Sequence, residues 1–173
     1  VSAKTSVTAI VTEHFDTLRD ARTSRPLVWD YLAQFGLPLL VAVVAPSIGF
    51  RLVEVGQLIA GLAVFTGFTF GLLIFVFQLR LQVASDPRVP DDNGLRELID
   101  QLFVNIAYAL LVAFASVLAA VIVVSVEWPM SPLPSGWASG LQTALLLFLT
   151  LHYVATMAMC AKRLHRAYSM ATA

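Results

Sequence analysis

Apart from Arg51 and Glu54, the stretch from Phe35 to Leu79 carries no charge and is dominated by apolar side chains. A helix that crosses a bilayer needs roughly 20 mostly apolar residues. The stretch therefore divides into two spans, about 31–50 and 55–79, joined by a tight turn at Arg51-Leu52-Val53-Glu54. Residues 102–126 are uncharged and predict a third span. No Asp, Glu, Lys or Arg occurs between Glu127 and Lys162, and 140–161 predicts a fourth. The expected fold class is all-α: an integral membrane four-helix bundle. A loop over 80–101 and a tail over 162–173 complete that part of the chain.

Two shorter patterns add to the four spans. Val7, Ile10, Val11, His14 and Leu18 recur at helical spacing, with Glu13, Asp16, Arg19 and Asp20 mostly elsewhere. They predict a short amphipathic helix inside 4–22, within an N-terminal segment 1–30. A membrane-surface helix carries a Lys-rich polar face. This one has mixed charge, so packing on the bundle or against a partner is expected instead. The second pattern follows the turn Ser85 to Gly94, where Asp92 or Asn93 is placed to cap a helix. Leu95, Leu98, Ile99 and Leu102 then continue one apolar face into the third span. That helix should project about two turns, ~11 Å, beyond the membrane.

Composition agrees with this pattern. Hydrophobic residues make up 58% of the 173 and charged residues 13%, while mean hydropathy is +0.81. A soluble domain this small has too little interior to hide so much apolar surface; a lipid bilayer can take it. Net charge is zero, which argues against nucleic-acid binding because that needs a basic footprint. The first 30 residues carry Lys4, Glu13, Asp16, Arg19, Asp20, Arg22, Arg25 and Asp30 without a long apolar run, so no secretory signal is expected there.

Basic residues are retained on the cytoplasmic side of membrane proteins. Lys4, Arg19, Arg22 and Arg25 precede the first span, Arg80, Arg88 and Arg96 lie between the second and third, and Lys162, Arg163 and Arg166 follow the fourth. Only Arg51 lies on the other side. The expectation is a prokaryotic inner-membrane protein with both termini in the cytoplasm. On the outer side, Trp128 and Trp137 bracket a Pro- and Gly-containing turn, as an aromatic belt would. Its Pro129–Pro132 spacing reads as a rigid turn. Pro46 should kink the first helix or end its regular part, and Pro38 lies near that helix's inner end.

Enzyme signatures are absent from the sequence: there is no phosphate-binding glycine loop, zinc-protease motif, nucleophile elbow or paired-cysteine motif. His14, His152 and His165 are too scattered to read as a metal site. No catalytic, cofactor-binding or metal-binding residue is assigned, and no cofactor is expected. The single Cys160 sits in an apolar run and reads as a buried thiol.

Two features remain. Gly67 and Gly71 form a GxxxG spacing, and Ala63 and Ala60 extend it as a stripe of small residues toward Gly56. In lipid such stripes let helix backbones approach closely. Two readings stand: packing inside one bundle, or the interface of a homo-oligomer. A second stripe, Asn105, Ala109, Ala113, Ser116 and Ala120, lies on one face of the third span and should be its packed face. The intramembrane polar residues Asn105, Tyr108 and His152, with Thr156, Gln34 and Gln78 nearby, all fall in the inner half. A polar group in hydrocarbon usually finds a partner. Asn105, Tyr108 and His152 are expected to form one set, as a clasp between helices, a proton or ligand site, or interfacial residues. No charged side chain lies mid-span, which weighs against an ion-coupled transporter.

The stretch Leu102-Phe103-Val104-Asn105-Ile106-Ala107-Tyr108-Ala109-Leu110-Leu111 resembles small membrane proteins of bacterial anti-phage defence systems. So does Leu149-Thr150-Leu151-His152-Tyr153 with Lys162-Arg163-Leu164. The resemblance implies abortive infection by membrane damage, or a membrane platform for a cytoplasmic protein partner. The resulting expectation is a non-enzymatic membrane protein that oligomerises and works with such a partner. The alternatives are a small channel or transporter, and an accessory subunit of a larger membrane complex.

Overall fold

The computed structural model describes residues 7–17, 28–85, 94–125 and 137–171. The described residues are helical apart from short turns. In chain order they form α1 (Val7–Asp16), α2 (Val28–Tyr31), a π-helical turn (Leu32–Gly36), α3 (Leu37–Ser47), α4 (Val55–Ser85), α5 (Gly94–Ser125) and α6 (Trp137–Ala171). Three helical segments are long and apolar enough to cross a membrane: Val55–Ser85, Gly94–Ser125 and Ser139–His165. The first expected span, about 31–50, appears as a shorter apolar segment, Leu32–Ser47. The expected bracket Trp128–Trp137 and the caps Asp92 and Asn93 fall wholly or partly outside the described residues.

Large apolar side chains cover the outward faces: Leu39, Phe68, Phe77, Phe114, Leu118 and Val154 are all exposed. Soluble proteins rarely leave contiguous apolar patches open to water, so this surface suits hydrocarbon. The inward faces carry the small-residue stripe of α5. Asn105, Ala109, Ala113, Ser116 and Ala120 are all buried, as their spacing predicts. Around Ala109 and Ala113 one cluster gathers Leu62, Tyr108, Val112 and Tyr153. A second cluster, toward the start of α5, gathers Val76, Ile99, Leu102, Ile106 and Cys160.

The packed neighbours run in a row, α4 on α5, α5 on α6 and α6 on α3. Helices α3 and α4 follow one another in sequence, yet α3 packs mainly on α6. The connecting turn explains this. Phe50 N–H donates to Ala45 O (3.0 Å) and Gly49 N–H to Pro46 O (3.1 Å). Gly49 takes φ 88°, the left-handed geometry that closes a helix and that glycine adopts without strain. Pro46 therefore lies in the last turn of α3, which ends regularly just after it. The Arg51 guanidinium then donates to Pro46 O at 2.8 Å, and Leu52 N–H donates to Thr143 Oγ1 at 3.2 Å. The second of these bonds ties the turn to α6.

Two further features concern the chain ends. The residues after 161 continue α6, which runs as helix to Ala171. The short helix α1 is present and packs against α5. Thr17 meets Asn105, His14 stacks on Tyr108, and Ile10 and Val11 pack on the cluster of Tyr108, Ala109, Val112 and Ala113. Residue numbers rise along α1 as they fall along α5, so the two helices are antiparallel. The start of α1 therefore points toward the middle of α5, around Ala109 and Ala113.

Candidate functional site

The described residues hold one extensive buried polar cluster, and its construction starts from a proline. In an α-helix the N–H of residue 38 would bond to the carbonyl of Gln34. Pro38 has no N–H. The helix adjusts through a π turn, in which Leu37 N–H donates to Leu32 O, and the Gln34 carbonyl is left for another donor. Nδ1 of His152 on α6 takes it at 2.8 Å. That bond puts the proton on Nδ1, so Nε2 accepts from the Tyr108 hydroxyl on α5, also at 2.8 Å. Three helical segments are thus joined through one imidazole.

The second imidazole comes from α1. His14 is fully buried and lies flat on the Tyr108 ring at 3.8 Å between centroids. The Gln34 amide nitrogen donates to His14 Nε2 at 2.9 Å, so His14 Nδ1–H donates to Asn105 Oδ1 at 2.6 Å. Asn105 in turn donates to Gln101 O at 2.7 Å. Its oxygen also accepts from the Thr17 hydroxyl at 3.0 Å. The Gln34 amide gives its other proton to Thr156 Oγ1 at 3.0 Å, and Thr156 passes its own to His152 O at 2.8 Å. Arg163 closes the edge of the cluster, donating to Thr17 O at 2.6 Å and to Gln101 Oε1 at 3.0 Å.

Of the expected set, Tyr108 and His152 touch directly. Asn105 joins them only through His14 and Gln34. The apolar periodicity of α1 placed His14 on the packed face without revealing it as the linking residue. Its sequence signal was a polar side chain on an otherwise apolar stripe, with Gln34 four residues before Pro38 as the second clue. Gln78 is exposed and lies apart.

No family model, curated protein or solved structure matches the chain.

Chemically the cluster is a set of matched donors and acceptors around two imidazole rings. Burial holds the His14 pKa down to about 4 against an ordinary 6.5; the Asn105 bond opposes this, and His152 and Arg163 reinforce it. Among the described residues no three His, Cys, Asp or Glu side chains converge as metal ligands. Replacing Pro38 by Ala tests the origin of the site. Residue 38 would regain an N–H that competes for the Gln34 carbonyl, and His152 Nδ1–H would lose its acceptor. The expected result is a shifted His152 imidazole 15N resonance and a loss of about 1 kcal/mol at that bond. An unmoved resonance would refute the role given to the proline.

The small-residue stripe of α4 lies elsewhere. Ala63, Gly67 and Gly71 are exposed, and a Cβ added at either glycine would meet nothing within 4 Å. Beside it an apolar groove of about 640 Å³ runs between α4 and α6, lined by Leu62, Phe65, Phe68, Tyr153 and Met157 among others. A Thr69–Tyr153 hydroxyl bond of 2.6 Å bridges α4 and α6 there.

Proposed function

We propose that this protein is a non-enzymatic component of a prokaryotic cell membrane that self-associates through α4 and works with a cytoplasmic protein partner, as a membrane effector in anti-phage defence. The observation that supports self-association is the bare glycine face of α4. Close backbone approach is what such a face offers in lipid, where apolar burial between helices brings little gain. Among the described residues nothing lies within 4 Å of a Cβ added at Gly67 or Gly71, which favours the oligomer reading over internal packing. The Lys and Arg distribution supports a cytoplasmic position for the α1 end of the bundle. There the base of α5 and the end of α6 extend past the apolar core, within reach of a soluble partner. The defence role rests on the sequence resemblance.

Isoleucine at both Gly67 and Gly71 would hold two α4 helices apart. The double variant should migrate as a smaller species than wild type in mild detergent, with its helical content intact. An unchanged size would remove α4 from the interface.

A second reading, a small channel, is favoured by the polar side chains that gather in the inner half of the bundle. Ion flux into liposomes separates the two: a channel passes ions without any partner, whereas the effector needs its partner and trigger.

A further inference from the structure

We propose that α1 is a retractable plug, a short helix that is held in the bundle by neutral His14 and that withdraws when His14 gains a proton, opening a polar cleft lined by Gln34, Asn105, Tyr108, His152 and Thr156. The inference rests on the geometry of the cleft and not on the defence reading.

The hold on α1 combines the hydrogen bonds of His14 and Thr17 with the ring packing of Phe15 on Tyr31, Phe35 and Tyr108. A ten-residue helix is marginal on its own in water. Val7 is 60% exposed, and Ile10 and Val11 are only partly buried. The side chain that α1 buries completely is His14.

The cleft accepts only the neutral ring. Adding a proton at Nε2 points an N–H at the Gln34 amide N–H, donor against donor. Turning that amide to offer its oxygen would take the donor away from Thr156 Oγ1, whose own proton already goes to His152 O. The groups around the ring offer no counter-charge. On α5 it faces Asn105 and Tyr108, on the π turn Gln34, and on α6 His152 and Arg163, both of which disfavour a cation. On α1 itself, Glu13 and Asp16 line a groove at the base of the bundle with Arg80, Arg96, Glu97 and Asp100. The side chains that act on the His14 charge are Asn105, His152 and Arg163, with no carboxylate among them.

The direction follows from linkage. The docked His14 has a pKa of about 4 and the released one the ordinary 6.5. Docking is thus at full strength above pH 6.5 and weakens as pH falls through the window down to about 4. Between pH 7.5 and 5.5 the docking equilibrium should fall about tenfold.

Hydrogen–deuterium exchange of the full chain in lipid nanodiscs, corrected for intrinsic exchange rates, reads this. The amides of α1 should lose about tenfold protection over that pH range, while the buried amides of α5 keep theirs. His14→Gln, which stays neutral, should abolish the pH dependence, and His165→Gln, on an exposed position of α6, should leave it intact. Protection of α1 that does not change with pH in wild type, or that falls equally in His14→Gln, overturns the plug. If His14→Gln leaves α1 unprotected at every pH, the wild-type His14 resonance decides. A titration that coincides with the loss of protection supports the plug, and one that does not coincide refutes it.

Discussion

Asn105→Leu should release α1 at neutral pH. Asn105 is fully buried and its oxygen accepts from His14 at 2.6 Å. Leucine fills the space but leaves His14 Nδ1–H without an acceptor. An orphaned buried donor costs about 1–3 kcal/mol, which raises the undocked fraction by about 5- to 150-fold. Thr17 loses less, because its hydroxyl also donates to His14 O at 2.7 Å. Amide exchange in α1 reports the release directly, and continued protection would show that other contacts hold the helix. In cells the same variant tests the effector proposal. With the partner and its trigger supplied, a potential-sensitive dye should report a larger fall in membrane potential than with wild type. If both proteins leave the potential untouched, the accessory-subunit reading takes the place of the effector.

The second large effect is expected at Ala113. This residue is fully buried, in the cluster where Leu62 of α4 and Tyr153 of α6 meet α5. Ala113→Leu adds three carbon atoms to a closed space between helices. Overpacking of this kind costs about 1–3 kcal/mol, at times more, and here it presses on both neighbours of the central helix. Titration with a denaturing detergent should show the midpoint lowered accordingly. Ala113→Ser should stay near wild type, since a helical serine can return its proton to the carbonyl four residues back. Ser116 does so with Val112 O at 2.7 Å. Wild-type stability in Ala113→Leu would contradict the close approach of the helices.

The two variants act on different links of the chain from sequence to function. Ala113 sets how closely α4 and α6 approach α5, which any arrangement of the bundle needs. Asn105 sets whether α1 stays in the cleft, a choice between two states of the same bundle. Loss at Ala113 should therefore appear as unfolding, and loss at Asn105 as opening with the spans intact.

Much of this was legible in the chain itself. Three long apolar helices follow from uninterrupted runs of apolar residues, because a backbone in hydrocarbon must satisfy its own hydrogen bonds and a helix does so locally. The buried face of α5 follows from small residues repeating every three or four positions, since one helical face is fixed by local geometry alone. The presence of α1 follows from the same periodicity. Periodicity names a face but not what covers it, and there the sequence stopped. That α3 packs on α6 depends on bonds from Arg51 and Leu52 to groups near and far in the chain. That α1 lies beside α5 depends on partners 88 and 91 residues away. The polar cluster was visible in part: Asn105, Tyr108 and His152 stood out as polar groups among apolar ones. Their link through His14 and Gln34 was not visible, because a hydrogen bond between distant residues leaves no spacing in the sequence. Only the folded chain brings the carbonyl freed by Pro38 to His152, and the amide of the same Gln34 to His14.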